Sequence, residues 1–142
     1  MKQKLFLFAA MGCLGMTTEI FFTAIVQLTD MVRAGDVNLR LMGFSYIWMF
    51  PIYGLAGIAF PPILKRIEHI NILLRMCVYA IGILIVEFFT GWFLDFATGQ
   101  CPWEYKTGWH IFGYIRIDYF PLWAMFGMMV ELILRFLLRF RV

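Results

Sequence analysis

The stretch Ile70-Asn-Ile-Leu-Leu-Arg-Met-Cys-Val-Tyr-Ala-Ile-Gly-Ile-Leu-Ile-Val-Glu-Phe-Phe-Thr-Gly-Trp-Phe-Leu94 carries only two charged residues, Arg75 and Glu87. A helix needs about 20 apolar residues to cross the hydrocarbon core of a bilayer, so this run predicts a transmembrane helix. Three further runs read the same way. Leu5–Leu28 is interrupted by Glu19, Leu41–Leu64 contains Pro51, and Tyr119–Leu138 has Glu131 and Arg135 near its end. The expected fold is an all-α polytopic membrane protein with four transmembrane helices, forming a single integral membrane domain over residues 1–142.

Composition supports this reading. Hydrophobic residues make up 63% of the chain, charged residues only 15%, and the mean hydropathy is +0.81. A soluble domain is typically about 45–50% apolar and about 25% charged. Too little polar surface is available to cover a soluble core. With 19% aromatic residues the chain is not a disordered segment. A net charge of +3 with no long basic run argues against nucleic acid as a partner. Cys13, Cys77 and Cys101 form neither a disulfide framework nor a zinc pattern. No metal or other cofactor is expected.

Met1–Lys4 is basic and Leu5–Leu14 apolar, which resembles a signal peptide. The apolar run continues to Leu28, so an uncleaved first helix is expected. Lys and Arg orient the chain. Lys2, Lys4, Lys65, Arg66, Arg75, Arg135, Arg139 and Arg141 fall on one side; Arg33, Arg40, Lys106 and Arg116 fall on the other. The bias puts both termini in the cytoplasm of a cell-membrane protein. Asp30, Asp36, Asp95, Glu104 and Asp118 then lie outside. Pro51 is expected to kink the second span and free a carbonyl. All five tryptophans, Trp48, Trp92, Trp103, Trp109 and Trp123, fall in the outer half. They suggest an aromatic cap over the bundle mouth.

The connection Asp95–Asp118 is too aromatic for a solvated linker and too broken by Gly, Pro and charge to span. It reads as an interfacial or re-entrant segment, tolerated at membrane depth where protein or a wet cavity satisfies its backbone. Within it, Pro102 can open a helical turn, and Trp103 and Tyr105 are amphipathic anchors. His69 and His110 read as polar interfacial residues.

Glu19, Glu87 and Glu131 are the most informative side chains. An ionised residue at a helix centre costs about 2.5–3.5 kcal/mol on insertion scales, so each should face protein, pair or become protonated. Each lies on a stripe of small or polar residues: Gly15, Glu19, Thr23 and Gln27; Ala80, Leu84, Glu87 and Gly91, with Thr90 alongside; Ala124, Gly127, Glu131 and Arg135. Such stripes let helices approach, and Gly54 and Gly57 offer a further close face. Glu131 and Arg135, four apart, are expected to form a structural ion pair. Glu19 and Glu87 have no cation within a turn. Arg116 could serve them, or the two carboxylates could share a proton or bind a cation.

No catalytic or nucleotide-binding motif is present, so an enzyme is the less favoured class. Thr18–Ala24, Asn71–Arg75 with Glu87–Gly91, and Cys101-Pro-Trp-Glu-Tyr105 followed by Gly113, Tyr119, Pro121, Trp123 and Glu131 resemble the ABC-transporter type IV (CmpB-like) family. The same stretches resemble the eukaryotic transmembrane protein 229 family. Members typically read Trp-Asp-Tyr-Ser in the third stretch; here Glu104 and Lys106 replace the Asp and the Ser. The resemblance implies a small polytopic membrane protein and a separate ATPase if it acts as a permease. Two functions stay open. In one, Glu19, Glu87, Glu104 and Arg116, with Trp103 and Tyr105, line an outer carboxylate pocket for an ion or amphiphile. In the other, an accessory or scaffold protein uses buried charges to fix packing, and its aromatic cap binds lipid or a partner. Either could act as a homo-oligomer or with a partner membrane protein.

Overall fold

A computed structural model describes residues 1–35 and 40–140. Asp36 and Arg141, two of the charges that orient the chain, lie outside the described residues. The protein is mostly helical: α1 Lys2–Arg33, α2 Met49–Ile67, α3 Ile72–Thr98 and α4 Phe120–Leu137. Strands β1 His110–Ile111 and β2 Ile115–Arg116 and a 3-10 turn Ile117–Tyr119 precede α4. α1, α3 and the segment Ile117–Leu137 are long and apolar enough to cross a membrane. Their outward faces carry large exposed apolar residues, among them Phe22, Phe89, Phe93 and Leu132. An apolar surface of that kind suits lipid, not water. The chain divides into two compact units, Met1–Phe60 and Pro61–Phe140.

In the first unit α1 lies against the opening half of α2. Glycines set the distance. A Cβ on Gly12 would sit 2.8 Å from the Phe50 ring, one on Gly54 2.7 Å from Phe8. Gly15 backs onto Tyr53, and Gly57 onto the Leu7 carbonyl. Phe8 and Phe50 meet edge to face at 5.7 Å.

The expected second span, Leu41–Leu64, needs correcting at its start. Helix begins only at Met49, and residues 40–46 are non-helical. The cause is local. Gly43 presses its backbone against the Ile20 carbonyl of α1, where a side chain would collide. Thr23 then satisfies the next residue: its hydroxyl accepts the Phe44 N–H at 3.0 Å and lies 2.9 Å from the Phe44 carbonyl. Pro51 falls in the first turn of α2, where its missing N–H costs no helix bond. It is therefore not the expected kink. The prolines inside the helix are Pro61 and Pro62; they deprive the Gly57 and Ile58 carbonyls of their usual donors.

The second unit is built on α3 and α4. Asn71 caps α3 by accepting the Leu73 N–H at 2.8 Å. The helix runs past its expected end at Leu94 to Thr98 and stops at Gly99, which is left-handed at φ 73°. The buried stripe of α4 is Ala124, Gly127, Val130, Glu131 and Leu134. It meets Tyr79 of α3, which is buried together with its neighbour Ala80. Gly127 has no Cβ because the Tyr79 side chain fills that space.

The connection 95–118 is more ordered than expected. It contains an antiparallel hairpin with Ile111 opposite Ile115, an element outside the all-α expectation. Phe112 and Gly113 both take positive φ at its tip. Pro102 and Trp103 form a turn, not a helix. The hairpin is tied to α3 by the Tyr114 hydroxyl, which donates to Asp95 at 2.7 Å. Gly91 leaves room for Trp103 and Cys101.

Gly127→Leu should lower stability by about 1–3 kcal/mol through overpacking against Tyr79. Gly82 has open space around it, so Gly82→Ala should cause no loss. Thermal unfolding in detergent measures both; equal losses would contradict close packing at Gly127.

Candidate functional site

Three glutamates on the membrane helices each accept a hydrogen bond from a tyrosine on another segment. Tyr53 donates to Glu19 at 3.0 Å, Tyr105 to Glu87 at 2.6 Å, and Tyr79 to Glu131 at 2.5 Å. Their remaining surroundings differ, and the difference separates packing from chemistry.

Glu131 is 1% exposed and fully engaged. Arg135 Nε donates to Oε1 at 2.8 Å, and Arg75 Nη2 lies 3.3 Å from the same oxygen. Tyr79 takes Oε2. Arg75 also donates to the Glu68 carbonyl at 3.1 Å, and Arg135 Nη1 lies 3.9 Å from the Glu68 carboxylate. Two cations thus face two acids at the junction of α3 and α4. Sequence spacing marked Glu131 and Arg135 but missed Arg75 and Tyr79. Their own spacing of four on α3 was the available signal.

Glu87 is half-buried and lacks any such compensation. Oε1 takes the Tyr105 hydroxyl. Oε2 is enclosed with no hydrogen-bond partner among the described residues. The Trp123 indole N–H lies near the carboxylate without completing a bond, and it too is enclosed. No cation pairs with Glu87 among the described residues. Burial first, and the Glu87 carboxylate second, push the Tyr105 phenol well above its ordinary value, so it remains a donor.

Aromatic rings continue from this point. Tyr105 meets Tyr119 edge to face at 5.7 Å, Tyr119 meets Trp123 at 6.2 Å, and Trp123 meets Phe126 at 6.0 Å. Arg116 lies 4.0 Å over the Tyr119 ring and 5.9 Å from that of Tyr105. Its charge is matched by Asp118, to which Nε donates at 3.1 Å and Nη2 also binds. Arg116 therefore approaches Glu87 through the Tyr105 ring rather than as its ion-pair partner.

Segment 104–106 is not helical, so alternate side chains point apart. Tyr105 turns in to Glu87, while Glu104 turns out and pairs with Lys106 at 3.2 Å. Glu104 lines a surface recess of about 370 Å³ with Asp95, Gln100 and Tyr114. Trp103 braces the hairpin by donating to the Tyr114 carbonyl at 3.1 Å. Glu19 belongs to the first unit, half-buried beside Tyr53.

The family model described as "Putative ABC-transporter type IV" matches residues 6–141. The chain belongs to that family. No solved structure matches it. With three helices fit to cross a bilayer, this member of the ABC-transporter type IV family is an integral membrane protein.

Glu131→Gln should cost about 3–5 kcal/mol by stranding the largely buried Arg75 guanidinium, and Tyr79→Phe about 1.5–3 kcal/mol. Glu87→Gln keeps an acceptor for Tyr105 and should cost less than about 1 kcal/mol. Chemical unfolding in detergent gives the order; a larger loss at Glu87 than at Glu131 would contradict these roles.

Proposed function

We propose that the protein is a transport-like membrane subunit in which Glu87 is the proton- or cation-binding group. The carrying observation is the enclosed, unpartnered Oε2 of Glu87, set against the complete compensation of Glu131. An intramembrane carboxylate with no cation paired to it and one oxygen left open is a pathway residue by default. Tyr105 orients the carboxylate, Arg116 and Trp103 hold the surrounding wall, and Glu104 gathers cations at the outer recess. Glu19 with Tyr53 supplies a second carboxylate of the same kind. The Glu131–Arg135 pair is structural.

In this reading the chain works as one four-span domain in the cell membrane with both termini cytoplasmic. α2 is the fourth crossing: 19 residues rise about 28 Å, close to the thickness of the hydrocarbon core. The long aromatic connection lies at the outer interface. A separate ATPase partner follows from the family description, and a homo-oligomer would widen the conduit. Kinship with the transmembrane protein 229 family rests on the three stretches quoted above.

A second reading has its own support. Trp109 and Phe112 are 76% and 81% exposed on the connection, as a contact surface for lipid or a partner protein would be. The protein would then be an accessory subunit.

Proteoliposomes loaded with a pH-sensitive dye distinguish the two. Wild-type vesicles should pass protons or monovalent cations faster than empty vesicles. Glu87→Gln should reduce that flux at least about tenfold with the melting temperature unchanged, as expected for loss of one essential acid–base group. Full flux in folded Glu87→Gln protein would contradict the proposal, and an absence of wild-type flux would favour the accessory reading.

A further inference from the structure

A second site lies at the other end of the Pro61–Phe140 unit, lined by none of the residues around Glu87. The closing turns of α2 and α4 enclose a groove of about 350 Å³. One wall is apolar, formed by Pro61, Leu64 and Leu138; the other carries Lys65, Arg135 and Arg139. Glu68 is the one acid on its lining among the described residues, and Arg135 lies 3.9 Å from it. Arg135 is held in place by its bond to Glu131. Lys65 and Arg139 form no ion pair among the described residues, so the groove is net cationic. Phe136 and Phe140, packed edge to face at 5.2 Å, leave apolar surface exposed on the same end of α4.

We propose that this groove binds the phosphate headgroup of one anionic phospholipid. A guanidinium fixed by Glu131 beside an ammonium and a second guanidinium is phosphate-binding chemistry. The apolar wall gives an acyl chain a surface that a free ion would not use. Basic pockets between transmembrane helices take anionic headgroups for the same reason. The site does not rest on the transport reading.

The full-length protein in mild detergent is titrated with short-chain phosphatidylglycerol, short-chain phosphatidylcholine and inorganic phosphate, and occupancy is read by native mass spectrometry. One phosphatidylglycerol should bind per chain, with phosphatidylcholine at least about tenfold weaker. The double variant Lys65→Gln/Arg139→Gln should lose at least about tenfold in affinity, given the contribution of each cation near an anionic headgroup. Lys2→Gln/Lys4→Gln removes the same charge elsewhere and should bind as wild type. Melting temperatures of both variants should match the wild type. Equal losses in the two variants, or no preference for phosphatidylglycerol, would overturn the site. Displacement of phosphatidylglycerol by inorganic phosphate at equal concentration would overturn its assignment to a lipid.

Discussion

An ionised carboxylate survives inside a membrane protein only where cations and donors replace the water it has lost. Glu131 meets that condition with Arg75, Arg135 and Tyr79, and the α3–α4 pair is organised around it. The contacts share one antiparallel register. Tyr79 stands opposite Glu131, and Glu87, eight residues further along α3, stands opposite Trp123, eight residues back along α4. Eight residues are about 12 Å of helix. Locking the first pair therefore sets the second. Gly127 lets the lock close, because the Tyr79 side chain occupies the place of its missing Cβ. The packing residue and the candidate pathway residue are two ends of one helix–helix contact.

The first unit solves a similar problem with less charge. Four glycines bring α1 and α2 to backbone distance, and Thr23 supplies the hydrogen bonds that residues near Phe44 do not make in a helix. Small residues serve here as they do wherever the hydrophobic effect cannot drive helices together. Glu19 shares one device with Glu87, a tyrosine hydroxyl from another segment, and the Ser45 side chain also approaches it. Tyrosine suits the task because its ring is at home among apolar side chains while its hydroxyl is a donor.

Much of this was legible in the residues. Long apolar runs set the three spanning helices, and the four-residue spacing of Gly127, Glu131 and Arg135 marked the buried face of α4. Glu87 and Tyr105 were both singled out, but nothing in their spacing joined them, since the last turns of α3, its stop at Gly99 and the turn at Pro102 and Trp103 lie between. The Arg75–Glu131 contact was hidden for the same reason: tertiary ion pairs leave no local period. The start of α2 was misread because apolar content from Leu41 onward resembles a helix. The decisive cues were single residues, Gly43 against α1 and Pro51 as a first-turn proline. Service of the glutamates by Arg116 was one of two alternatives, and Asp118, two residues away, takes that guanidinium instead.

Glu131 is sealed by its partners and Glu87 is not. Carbodiimide labelling of the membrane-embedded protein, mapped by peptide mass spectrometry, reads that contrast directly, because the reagent is apolar and attacks carboxyl groups that are not held in ion pairs. Glu87 should be modified and Glu131 protected. Modification of Glu131 to the same extent, or an unmodified Glu87, would contradict the division of roles between the two carboxylates.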